Sequence, residues 1–126
     1  MDLLNFTEEA GMFIDVQAWT DDGDVRALTL HFANKTQLLI FVEQDTDELV
    51  VSTSSVLNQQ CTQTLTALQE VYGYFLIRTW LMRNHKGYQD ALQLEFYHPD
   101  KSQPHFIQIY VEASSLTLFR LQQIVV

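Results

Sequence analysis

This sequence is poor in the residues that staple, stiffen or anchor a chain. It has one cysteine, Cys61, so no internal disulfide can form, which fits a reducing compartment. A nucleophilic thiol needs a base or a positive field beside it. The stretch Asn58-Gln59-Gln60-Cys61-Thr62-Gln63 offers neither, so Cys61 is expected to be inert. There are only two prolines, Pro99 and Pro104, and both fall in one short stretch. The four glycines form no phosphate-cradling loop, and no G-x-S-x-G or G-x-G-x-x-G occurs. No apolar run approaches the roughly 20 residues of a membrane helix. The start, MDLLNFTEEAG, lacks the basic and apolar segments of a signal peptide. A soluble cytoplasmic protein without membrane contact is expected.

Positive charge is also scarce. Seven Lys and Arg stand against sixteen Asp and Glu, for a net charge of −9. The imbalance lies in residues 1–63, where Arg26 and Lys35 are the only Lys or Arg; the remainder is neutral. Phosphate backbones are bound by clustered Lys and Arg that release counterions, so nucleic acid is not an expected partner. Such a surface serves solubility, or it presents an acidic face to a basic protein.

What is present is alternation. The chain has 126 residues, 47% of them apolar, enough for a single domain (1–126) with a real core. Asp2 to Ala10 reads as a short helix, with Asp2 as N-cap and Gly11 as its stop. From Met12 the period becomes two. Met12–Thr20 and Val25–Phe32 read as strands joined at Asp21-Asp22-Gly23-Asp24, since Asp-Gly accepts the positive φ of a tight hairpin. Leu28, Leu30 and Phe32 face one way, Thr29 and His31 the other. Thr36–Glu43 is apolar on both faces and reads as a covered strand. Glu48–Thr53 follows. Leu65, Leu68 and Tyr72 then fall at helical spacing, predicting a connecting helix over about 64–71. Tyr74–Arg83, Gln89–Tyr97, His105–Glu112 and Leu116–Val125 read as four more strands, with turns at 84–87, at the proline-bearing loop 98–104 and at Ser114-Ser115.

The two halves resemble each other. Ala27-Leu28-x-Leu30-x-Phe32 and Ala91-Leu92-x-Leu94-x-Phe96 each follow a Gly four residues earlier, Gly23 and Gly87, with Trp19 and Trp80 upstream. Leu38, Ile40, Val42-Glu43 match Ile107, Ile109, Val111-Glu112. The expected fold is mainly β with one or two short helices. It comprises two antiparallel four-stranded meanders (about 12–53 and 74–125) arising by internal duplication, packed as a flattened barrel or curved sheet.

Candidate chemistry is sparse. His31, His85, His98 and His105 show no metal-ligand spacing. Asp21, Asp22 and Asp24, and Asp45, Asp47 and Glu48, gather carboxylates in turns without the calcium-loop spacing, so they read as solvated hairpin turns. Glu43 and Glu95 lie on strands where burial could raise a carboxyl pKa, but nothing places them across a cleft. No metal, cofactor or catalytic residue is assigned. The one local cluster of positive charge is the turn Arg83, Asn84, His85, Lys86, Tyr88 and Asp90, a candidate interaction loop with Tyr88 as anchor.

The same stretch carries a resemblance. Trp80, Asn84, Gly87-Tyr88, Asp90, Leu94 and Phe96 resemble a W-x3-N-x2-G-Y-x-D-x3-L-x-F motif of a family of small uncharacterised bacterial proteins, and Gln44–Leu49 looks like that family's acidic turn. The resemblance implies a bacterial stand-alone domain of unknown function and transfers no catalytic residue. The expected role is a non-enzymatic module that binds a basic protein. The alternatives are a small-molecule-binding β-barrel and, third, an enzyme of unidentified class. A homodimer through strand three or through Leu121–Val126 is a further expectation.

Overall fold

The structure, a computed structural model, describes residues 3–53 and 63–121. It is 61% strand. One helix opens the chain, α1 (Leu3–Glu9). Among the described residues nine strands follow: β1 (Phe13–Asp21), β2 (Asp24–Phe32), β3 (Gln37–Glu43), β4 (Glu48–Ser52), β5 (Gln63–Thr64), β6 (Phe75–Arg83), β7 (Gln89–Tyr97), β8 (His105–Glu112) and β9 (Ser115–Leu121). They form two antiparallel sheets, ordered β4-β3-β2-β1-β5 and β6-β7-β8-β9. The sheets do not close into a barrel. Asp2, Cys61 and Gln122–Val126, on which several expectations rested, lie outside the described residues.

Local chemistry explains most element ends. The Ala10 amide donates to the Phe6 carbonyl at 3.0 Å, and Gly11 then turns the chain at φ +76°. A Cβ on Gly11 would stand 3.1 Å from the Asn34 carboxamide, whose Nδ2 donates to the Glu9 carbonyl at 2.7 Å. The helix stop therefore needs glycine for both backbone and space. Asp22 and Gly23, at φ 51° and 82°, form the two-residue turn that Asp-Gly favours.

The inner faces share one core. Val16, Ala18, Leu28, Leu30, Phe32, Leu38, Ile40 and Leu49 of the first sheet join Leu76, Leu92, Leu94, Phe96, Ile107, Ile109 and Leu116 of the second. Phe13 is the hinge between them. Its ring lies 5.6 Å from Phe32, 5.4 Å from Phe96 and 5.2 Å from Tyr72. Its amide donates to the Tyr74 carbonyl and its carbonyl accepts from the Gly73 amide, both at 2.8 Å. One corner of each sheet is thereby stitched to the other.

The two meanders carry the same register. Leu28 faces Ile40 and Leu30 faces Leu38, as Leu92 faces Ile109 and Leu94 faces Ile107. Val42 faces Leu49 as Val111 faces Leu116. An extra residue interrupts the first hairpin at Ile14 and the second at Ile77. Both bulged isoleucines are exposed. Across the interface, β2 packs on β9 and β4 on β7, a reciprocal arrangement.

Three expectations are corrected. The tryptophans are not equivalent: Trp19 faces Ala27, but Met82 faces Ala91 and Trp80 faces Gln93, two residues off. The helix over 64–71 does not form. Gln63 and Thr64 extend the first sheet as β5 beside β1, and only Gln69–Val71 makes a 3-10 turn. Thr64 and Thr66 are poor helix formers, and β1 offered an open edge that β5 satisfies; Leu68 and Val71 still reach the core. The last hairpin turns at Ala113-Ser114, both at positive φ, while Ser115 already pairs with Glu112.

Candidate interaction surfaces

In a meander, alternate turns fall at the same end. Here the β1–β2 and β3–β4 turns share one end of the first sheet, placing Asp21, Asp22, Asp24, Glu43, Asp45, Asp47 and Glu48 together. All but Glu48 are exposed. The β6–β7 and β8–β9 turns reach the same end of the molecule. Arg26 Nη1 donates to the Ser114 carbonyl, and its Nη2 lies 3.6 Å from Asp24. On the other side the Gln89 amide donates to Glu48 Oε2 at 2.9 Å, and Gln89 Nε2 donates to the Leu49 carbonyl at 2.7 Å.

The candidate loop is therefore fastened beside the second acidic turn. Asn84 organises it: its Oδ1 accepts from the Lys86 amide at 2.9 Å and the Tyr88 amide at 3.2 Å. Gly87, at φ 86°, closes the turn with its amide donating to the Asn84 carbonyl at 3.0 Å. Arg83, His85, Lys86 and Tyr88 are exposed and Asp90 half-buried. Tyr88, 48% exposed, lies free of the core. Replacing Asn84→Ala removes the one oxygen that accepts from both backbone amides, so a loss of about 1 kcal/mol is expected in urea unfolding. Faster amide exchange confined to 84–88 should accompany it.

The remaining candidates do not assemble. Among the described residues no cluster of three His, Cys, Asp or Glu is placed to hold a metal. Glu95 is buried beneath Arg78, 3.6 Å away, whereas Glu43 is exposed at the end of β3 on the other sheet. His31 contacts Gln17 at 3.1 Å. His98 and His105 flank the Tyr74 ring. Arg120 Nη2 lies 2.8 Å from His105 Nδ1. Arginine only donates, so Nδ1 accepts and the ring proton sits on Nε2, 3.4 Å from the Tyr74 hydroxyl. Arg120 also pairs with Glu70 at 3.1 Å. This chain ties the 3-10 turn to the second sheet.

Burial first, then the Arg120 charge, hold the His105 pKa below its ordinary 6.5, with Glu70 opposing. The unfolded chain takes up this proton before the folded one does. Stability from this group is thus present above about pH 6.5 and lost as pH falls below it. Thermal melts from pH 7.5 to 5.5 should fall less steeply for His105→Gln than for the wild type.

Sequence reasoning missed the outer face of β6–β9. Three cross-strand rows cover it: Met82-Ala91-Tyr110-Thr117, Trp80-Gln93-Gln108-Phe119 and Arg78-Glu95-Phe106-Leu121. Tyr110 and Phe119 stack at 5.1 Å with rings 3° apart, and Trp80 lies 6.5 Å from Phe106. The Tyr110 hydroxyl donates to Glu112; desolvation, and next that carboxylate, raise its pKa above 10. Phe75, Trp80, Tyr97, Phe119 and Leu121 are all exposed on this side. Apolar residues at both parities of β6 and β9 were the available signal. β3, in contrast, lies between β2 and β4 with Leu39 buried even on its outer side. It offers no free edge.

Among the described residues no helix is long and apolar enough to cross a membrane. A family model described as a family of unknown function, DUF6334, matches residues 9–125. No curated protein and no solved structure matches the chain.

Proposed function

The chain belongs to this family of unknown function, and on the geometry of its surface we propose that it is a non-enzymatic protein-interaction module that receives a basic partner at its turn end. The observation that supports this reading is the gathering of seven carboxylates from two hairpin turns at one end of the first sheet. Close carboxylates make the local potential more negative, steer a cationic partner and speed its encounter. The Arg83–Asp90 loop next to them supplies the contrasting charge and an exposed tyrosine, which together fix register. The protein is read as bacterial and cytoplasmic, and its two meanders as duplicated, a reading supported by their shared registers and paired bulges.

A small-molecule barrel fits less well. The space between the sheets is filled by the shared core, and an open cleft of about 360 Å³ lies outside it, between α1 and β6, lined by Leu3, Thr7, Ile77 and Leu81. The test is capture from native lysate by the tagged chain at low and high salt. A stoichiometric basic partner that is retained at low salt and released at high salt is the expected result. Capture that is insensitive to salt would reject the acidic end as the contact.

A further inference from the structure

The outer face of β6–β9 lies outside the acidic end, and its composition points to a separate role. We propose that this face is where a second copy of the same chain docks, sheet against sheet, in a two-fold symmetric dimer. Three observations favour this occupant. The first is charge. Of the twelve positions in its three rows, only Arg78 and Glu95 are formally charged, and they pair with each other at 3.6 Å. The chain carries −9 overall, so this neutral field is where a like-charged copy meets least repulsion. A basic or acidic partner would find nothing here to complement.

The second is the pair of glutamines at the centre. Gln93 and Gln108 face each other between Trp80 and Phe119, half-buried. Their carboxamides would be costly to bury without partners. A carboxamide both donates and accepts, so it is its own complement. In a two-fold interface residue i meets j while j meets i, so Gln93 of one copy can serve Gln108 of the other, and the reverse. Facing each other, the two carboxamides satisfy only part of their capacity, and a purely apolar partner would leave the remaining donors and acceptors stranded.

The third is size. Four strands at ~4.8 Å spacing and some 6–7 residues of strand length give a footprint of roughly 20 by 20 Å. That flat projection, ~400 Å², is within about a factor of two of the ~800 Å² of accessible surface per partner in a standard interface. Side-chain relief narrows the gap. The footprint matches the roughly 300–600 Å² of the largest apolar patch on a typical monomer, a patch that is often functional. Tyr, Trp, Phe and Met are the residue types enriched at interface cores.

The test is sedimentation equilibrium of the full chain from ~1 to ~500 µM, a range that spans weak dimers of this area, at low and high salt. The 14.6 kDa chain should shift toward twice its mass with rising concentration, and salt should not weaken the association, because the face is neutral. Phe119→Glu, at a site already 47% exposed, should weaken association at least ~10-fold while the monomer keeps its folded far-UV circular dichroism, and Phe119→Leu should retain association. A wild type that stays monomeric across the range overturns the proposal and leaves the face to another kind of molecule. A dimer that survives both Phe119→Glu and Trp80→Glu overturns it too, by placing the contact elsewhere. Neither result bears on the acidic end, whose carboxylates all lie outside this face.

Discussion

Replacing Phe13→Ala should cost about 3–5 kcal/mol, the largest loss expected from any single truncation here. Phe13 is fully buried, and its ring touches Phe32 of one sheet, Phe96 of the other and Tyr72 of the connecting segment. The cavity would sit at the corner where the backbone also bridges the sheets, through Phe13 to Tyr74 and Gly73. Those backbone bonds hold the walls apart, so little collapse is available to offset the void. Set against a typical total of about 5–15 kcal/mol, the loss should lower Tm by roughly 10–20 °C for a chain of this length. Ile14→Ala, one residue on at an exposed bulge, should change stability by less than about 0.5 kcal/mol. Equal effects for the two variants in urea melts would mean that the sheets do not share Phe13 as described.

The second large effect concerns charge. The triple variant Asp22→Asn, Asp45→Asn and Asp47→Asn takes the net charge from −9 to −6 and removes three of the seven carboxylates at the turn end. Asn is chosen because Asp22 and Asp47 sit at positive φ, 51° and 56°, a conformation that Asn tolerates. Folding should therefore survive, with Tm equal to or slightly above the wild type as like-charge repulsion is relieved. Association with the low-salt partner should slow by about 10-fold or more, chiefly in the on-rate, as read by surface-immobilised kinetics. A triple variant that binds at the wild-type rate would remove the acidic end from the interaction. Added salt should bring the wild type down toward the variant, since exposed charges are screened over about 10 Å.

How much of this was legible in the sequence follows from the range of each interaction. Alternating residues fixed the strands, since Leu28, Leu30 and Phe32 can face one core only in extended chain. Asp22-Gly23 fixed a hairpin, and Gly11 a helix stop, through backbone angles that depend on one or two residues. The likeness of the meanders was legible as the match of Leu38, Ile40 and Val42 with Ile107, Ile109 and Val111, because a buried face pins register through its apolar pattern. The tryptophans misled, because a matching letter near a turn says nothing about register once the two turns differ in length. The helix over 64–71 misled for another reason. Its spacing of Leu65, Leu68 and Tyr72 was real, but the edge of β1 competed for the same backbone and gained strand pairing at Gln63 and Thr64.

The candidate surfaces belong to the tertiary structure. Gln89 meets Glu48 across 41 residues of chain and Arg26 meets Ser114 across 88. No local pattern encodes that the acidic and basic turns end up side by side. The aromatic face was hidden for a related reason. Trp80, Phe106, Tyr110 and Phe119 read as ordinary strand residues, since an apolar side chain looks the same whether it enters the core or leaves it. Only the packing of the sheets decided which side was already filled, by Leu92, Leu94, Ile107 and Ile109, and so which side was left to face outward. The sequence by itself determined strands, turns and an excess of negative charge, all set by neighbours along the chain; which charges gather and which aromatics remain exposed was decided by contacts between residues far apart in it.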